Sequence, residues 1–241
     1  MSAPLVAQTE PVIPDFGGGG DCVRENRLFC WDWFSEHWGD TFAPALVQHI
    51  VLTAIAVGVG LAIALAGAVL AHRRRWLEGP FVTVSGALYT IPSLALFQLL
   101  VPITGLSLLT AEIALVSYTL LIVFRNALAG LRAVPPETRE AARGMGLTDN
   151  QVLWRVGLPL ALPAIVAGVR IATVTVISLA TVAAFVIDRG LGAPIFAALQ
   201  TSFKTELIAA GALAVALALT ADGLLVLGQR ALTPWARARG T

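Results

Sequence analysis

Charge is scarce in this sequence. Only 13% of its 241 residues are Asp, Glu, Lys or Arg, about half the share of a soluble domain. With 57% hydrophobic residues and a mean hydropathy of +0.80, an ordinary solvated globule is excluded and a polytopic all-α membrane protein is expected. Lysine is nearly missing: Lys204 stands alone among 16 basic residues, the rest being Arg, a skew of genome composition more than of function. Two cysteines are too few to complete a metal site, so no metal is expected. No G-x-x-x-x-G-K-[ST] phosphate loop occurs, and the glycine run at 17–20 leads into Asp21, so this chain is no ATPase and no catalytic residue is assigned. The first twenty residues lack a signal-peptide core. Residues 16–20 read as a flexible linker. No internal repeat is present, and no nucleic-acid partner is expected.

Long apolar runs, by contrast, are plentiful. A helix rises about 1.5 Å per residue, so roughly 20 apolar residues cross a hydrocarbon core of about 30 Å. Five segments qualify, near 46–71, 80–102, 108–131, 163–187 and 207–229. Arginine bias then sets orientation. With the N-terminus outside, ten basic residues (Arg73, Arg74, Arg75, Arg132, Arg139, Arg143, Arg155, Arg230, Arg237, Arg239) fall inside, against four outside (Arg24, Arg27, Arg189, Lys204). The expected layout is an outer tail over 1–44, a membrane domain over 45–230 with a cytoplasmic loop at 132–162, and an inner tail over 231–241.

In that layout Cys22 and Cys30 lie where disulfides form. Eight residues of separation allow a small bridged loop; two free thiols in a loose tail are the alternative. The aromatic stretch FCWDWFSEHWGDTF (29–42) suits the outer headgroup level or contact with a partner.

One loop is built unlike its surroundings. In PPETREAARGMGLTDNQVLWRVGLPLALP (135–163), Pro135 and Pro136 end the third span and open a new helix. Glu137 and Glu140 suit the positive end of its dipole. Ala141 and Ala142 make one side thin, and Gly146 can take the left-handed conformation that stops it. Thr148 to Gln151 spells a capping box, with Pro159 expected to end the second short helix and Pro163 to lead into the fourth span. Physics alone allows either an interfacial hairpin or a docking element.

The order Glu140-Ala141-Ala142, three residues, Gly146, nine residues, Val156, one residue, Leu158-Pro159 resembles the EAA motif of ABC importer permeases. Val156 in place of isoleucine is the one departure. Residues 48–75, 87–106, 125–148 and 170–186 look like the glycine betaine, choline and osmoprotectant branch of that superfamily, and the likeness covers roughly 45–234. The resemblance implies a type I ABC importer permease fold, with the loop acting as a coupling helix gripped by a separate ATPase. Glu140, Ala141, Ala142, Gly146, Leu158 and Pro159 would carry the coupling. It further implies ATP and Mg on that ATPase, an extracytoplasmic solute-binding protein holding the aromatic cage, and a second permease subunit, identical or not. Location in a bacterial inner or plasma membrane follows, with alternating access as the mechanism and compatible solutes as the cargo. Amino acids or other small organic ions are the alternative cargo. An ion-coupled secondary transporter would need buried acidic groups and usually more spans, and a non-transporting scaffold is argued against by the loop.

Polar groups inside spans mark candidate pathway positions: Tyr89, Thr90, Ser93 and Gln98 beside a kink at Pro92, with Thr173 and Ser178 in the fourth span. Each Ser or Thr can equally bond its own helix. Three charges fall within spans. Asp222 is expected to pair with Arg125 or Arg170, the alternative being that all three reach the interface separately. Glu112 is expected to be wet.

Overall fold

The computed structural model describes residues 20–234, and its regular structure there is entirely helical. The linker residues 16–19 and the inner tail from 235, with Arg237 and Arg239, lie outside the described residues. Eleven α-helices follow one another: α1 (Asp21–Arg24), α2 (Trp31–Glu36), α3 (Ala43–Arg73), α4 (Glu78–Thr90), α5 (Ser93–Thr104), α6 (Leu108–Arg132), α7 (Pro136–Gly144), α8 (Asp149–Val152), α9 (Leu158–Val182), α10 (Gly192–Thr201) and α11 (Lys204–Leu232). Four continuous helical stretches are long and apolar enough to cross a membrane, and the bent pair α4–α5 makes up to five spans.

Small residues set how these helices meet. Ala56, Gly60, Ala64 and Ala68 recur every fourth position along α3, and the alanines are fully buried. This stripe lets α3 approach α6 closely, as membrane interfaces require when no hydrophobic drive separates helix from lipid. A Cβ on Gly60 would lie 1.7 Å from Thr119 Oγ1, and one on Gly130 would lie 2.8 Å from the Ala164 Cβ of α9. So α6 is the central helix, held against α3 on one side and α9 on the other. Phe81 of α4 stacks on Phe124 of α6 with centroids 4.1 Å apart. By contrast α11 packs mainly on α9 and turns Val215, Leu219, Leu224 and Leu227 outward.

The kink expected at Pro92 is present and is a sharp break: α4 and α5 are bent by 102° at Ile91–Pro92. Ile91 and Pro92 both take extended ψ angles, 128° and 135°, because a residue before proline avoids the helical region and proline denies the next turn its donor. The freed Ile91 carbonyl accepts a bond from the Tyr118 hydroxyl of α6 at 2.5 Å. Pro159, for its part, does not end a helix. Residues 153–157 form a π-helical turn in which Leu158 N–H bonds the Leu153 carbonyl, and α9 continues directly from it. The wider turn accommodates the proline ring, and Pro163 then lies inside α9.

The aromatic segment divides between two environments. Trp33 and Phe42 are buried with Cys30 against Phe203, Ala209 and Ala210 at the start of α11, whereas Trp31 and Trp38 are exposed. Cys22 and Cys30 are joined in a disulfide. Within the loop it closes, Asn26 donates to the Ser202 carbonyl at 2.8 Å and accepts from the Lys204 N–H at 3.0 Å. That bridges the break between α10 and α11, where Ser202 has φ 58°.

Candidate functional site: the α7–α8 loop and the charges behind it

Helix α7 begins on Pro136 with Glu137 in its first turn. It stops by a full Schellman arrangement: Gly146 N–H bonds the Arg143 carbonyl at 2.8 Å and Leu147 N–H bonds the Ala142 carbonyl at 3.2 Å. Gly146 sits at φ +87°, a conformation costly for any residue with a Cβ. A reciprocal capping box then starts α8, with Gln151 N–H on Thr148 Oγ1 and Thr148 N–H on Gln151 Oε1. The loop is therefore rigid for local reasons.

Its orientation was not readable from spacing. Ala142 is only 2% exposed and faces the bundle, while Glu140, Ala141, Gly144 and Gly146 are exposed and Met145 is 75% exposed. The thin outward side is thus built on Ala141, not on the Ala141–Ala142 pair. Leu158 and Pro159 lie elsewhere, at the root of α9, lining an apolar hollow with Leu61, Trp154 and Leu225.

Several cations bond within and around the loop, and one of them, Arg73, ties it to a span. Arg143 Nε donates to Asp149 Oδ1 at 3.0 Å, Arg73 of α3 donates to Asn150 Oδ1 at 2.5 Å, and Arg139 donates to the Val134 carbonyl at 2.7 Å. Arg132 and Glu78 form a two-bond fork between α6 and α4 at 2.9 and 2.5 Å. Arg73 thus joins α8 to α3, and the π-helical turn joins α8 to α9.

Within the bundle, Asp222 of α11 takes Arg170 of α9 as its partner: Nε to Oδ1 at 2.8 Å and Nη2 to Oδ2 at 3.0 Å. Arg125 stays exposed on α6 and outside this pair. Tyr89 packs edge-on to Tyr118, centroids 5.9 Å apart, at the α4–α5 break, and Ser93 opens α5 there. Gln98 and Ser178 are exposed. Thr90 bonds the Ala87 carbonyl and Thr173 the Val169 carbonyl, each in its own helix. Thr173 also lines a hollow of about 410 Å³ between α3, α9 and α11. Of the candidate pathway residues, Tyr89 and Ser93 thus lie at the α4–α5 break and Thr173 at the α3–α9–α11 hollow, while Gln98 and Ser178 belong to neither.

Three features escaped the sequence reading. Tyr118 holds the broken span. His49 is fully buried: its Nδ1 accepts from the Leu191 N–H at 3.2 Å, so Nε2 carries the proton and donates to the Ile177 carbonyl at 3.0 Å. A histidine within an apolar span was itself the signal. Glu112, expected to be wet, instead has both carboxylate oxygens enclosed, with no hydrogen-bond partner among the described residues. A local hydropathy scan does not see that neighbouring helices cover them.

Comparison with known proteins agrees with this architecture. Residues 56–237 match the family described as binding-protein-dependent transport system inner membrane component. The osmoprotectant import permease protein OsmW of Salmonella typhimurium is 38% identical over 197 residues, covering 80% of this chain and 92% of that protein. The choline transport system permease protein OpuBB of Bacillus subtilis is 35% identical, covering 78% and 86%. The carnitine transport permease protein OpuCB of Listeria monocytogenes is 36% identical, covering 83% and 92%. In structure, the chain resembles an inward-facing form of the MetNI methionine ABC transporter, with TM-score 0.69 at 22% identity, over 78% of this chain and 94% of that one. That likeness gives the fold, a type I ABC importer permease.

Proposed function

The chain belongs to the binding-protein-dependent inner membrane component family, and from this premise we propose that it imports compatible solutes such as glycine betaine, choline or carnitine. The cargo class is supported by relatives at 35–38% identity that are named for osmoprotectant, choline and carnitine transport. The observation that carries the mechanism is the capped α7 with its small outward side at Ala141 and Gly144, tied to α8 by Arg143–Asp149, while α8 is tied to the first span by Arg73–Asn150.

In this reading a separate ATPase, holding ATP and Mg, grips α7. A solute-binding protein delivers cargo at the opposite end, and two permease subunits enclose the path. The N-terminus lies outside and the α7–α8 loop inside, as the arginine bias favours. ATP-driven closure of the ATPase pair moves α7, and the bundle exchanges one access state for the other because that partner binds the two states unequally. The Arg170–Asp222 pair acts as a clamp between the fourth and fifth spans. The Tyr89–Ser93 break supplies polar backbone to the path, since irregular backbone at membrane depth is tolerated where it lines a cavity.

Reconstitution with the cognate ATPase and binding protein tests this. Uptake of labelled glycine betaine or choline should require ATP and persist when proton and sodium gradients are collapsed. Uptake that follows either gradient would overturn it.

A further inference from the structure

The end of the bundle that carries α7 holds a cavity of about 560 Å³ lined by both charged and apolar side chains. It is lined from the ends of α3 and α6, from α7 and α8, and from the π-helical turn at 153–157. Its polar lining is His72, Arg73, Arg139, Arg143, Asp149 and Asn150. The charge count there does not balance. Asp149 is engaged by Arg143 at 3.0 Å, which leaves Arg73 on the neutral amide of Asn150 and Arg139 on a backbone carbonyl. Arg139 Nε is enclosed and has no partner among the described residues. Arg132 is offset by its fork with Glu78, whereas Arg73 and Arg139, which both act electrostatically on His72, have no carboxylate partner among the described residues of the cavity. An enclosed guanidinium donor is costly unless something accepts from it.

We propose that this cavity is an anion site of phosphate type, in which Arg73 and Arg139 hold a phosphate group between the end of the first span and α7. Guanidinium forks match phosphate oxygens in pairs. Basic pockets between membrane helices at the cytoplasmic face are suited to acidic phospholipid headgroups. Free inorganic phosphate offers the same chemistry from the aqueous side. A bound anion would join α3 directly to α7 and stiffen the connection through which movement of the loop reaches the spans. The placement at headgroup level rests on the orientation proposed above; the charge imbalance does not.

The test uses the full chain in nanodiscs, read by thermal unfolding, and needs no transport. Three preparations are compared: phosphatidylcholine alone, phosphatidylcholine with phosphatidylglycerol, and phosphatidylcholine alone with inorganic phosphate added to the buffer. A midpoint raised by several degrees with phosphatidylglycerol alone identifies a lipid headgroup; a rise with phosphate as well identifies a general phosphate site. In both cases the rise should disappear in Arg73→Gln/Arg139→Gln and persist in Arg155→Gln, whose side chain lies outside the cavity. Should the double variant fail to fold, Arg139→Gln alone should reduce the response and Arg139→Lys should retain part of it. The proposal is overturned if neither anion shifts the wild type, or if the arginine variants respond as the wild type does. It is also overturned if bound ATPase abolishes the response and the arginine variants lose ATPase binding. An acidic side chain of the ATPase would then be the occupant.

Discussion

Arg170 of α9 and Asp222 of α11 face each other as a fork, with two hydrogen bonds of 2.8 and 3.0 Å across helices 52 positions apart in sequence. Helix α11 is otherwise poorly buried, with only 6% of its apolar window enclosed, so this pair is a principal polar tie between it and the bundle. Asp222→Arg should place two like charges in contact and abolish assembly or uptake. The exchange Arg170→Asp/Asp222→Arg should recover both. The check is membrane expression and ATP-dependent uptake for the single variants Asp222→Arg and Arg170→Asp and for the double exchange. A fully active single variant would show that the tie is dispensable.

A second prediction concerns the α3–α6 seam. A Cβ at Gly60 would overlap Thr119 Oγ1 at 1.7 Å and Thr119 Cβ at 2.7 Å, and rotating the hydroxyl away does not relieve the second contact. Gly60→Val should destabilise the chain by about 1–3 kcal/mol through overpacking. Thr119→Gly in the same chain should restore part of that loss. Thermal unfolding in detergent measures both.

The break between α4 and α5 is held from outside itself. Tyr118→Phe removes the hydroxyl that bonds the Ile91 carbonyl and should cost about 1–2 kcal/mol, the scale of a hydrogen bond between membrane helices. Uptake should fall more than stability does, because the bend positions Tyr89 and Ser93. Equal stability and equal uptake in the variant would remove Tyr118 from the mechanism.

Glu112 presents the reverse case. Its enclosed oxygens have no partner among the described residues, so an apolar side chain of similar length should be tolerated. Glu112→Met, which removes both unpartnered oxygens, is expected to raise stability by about 1–3 kcal/mol and leave uptake intact. Uptake lost with the fold intact would instead make Glu112 a transport residue.

What the sequence disclosed was local. The four continuous spans follow from hydropathy over one helix, and the Schellman stop at Gly146 and the box at Thr148 follow from residues within a few positions of each other. The features that sequence missed depend on neighbours brought in from afar. Pro92 announces a break, but its 102° angle is set by packing on α6 and by Tyr118, 27 positions away. Spacing placed Ala141 and Ala142 together as a thin side; which of them faces outward is decided by how α7 sits beneath α3 and α6. Pro159 reads as a terminator only until the π-helical turn before it is seen. The choice of Arg170 over Arg125 for Asp222 likewise needed the third dimension.

Site-directed crosslinking between α7 and the ATPase, in a complex shown to import solute, bears most directly on the role of this loop. Cysteine at Ala141, which is exposed, should crosslink to the ATPase with a yield that changes when ATP is bound, and cysteine at the buried Ala142 should not. Failure of the Ala141 position to crosslink in an active complex, or efficient crosslinking from Ala142 alone, would contradict the assignment of α7 as the element that the ATPase moves.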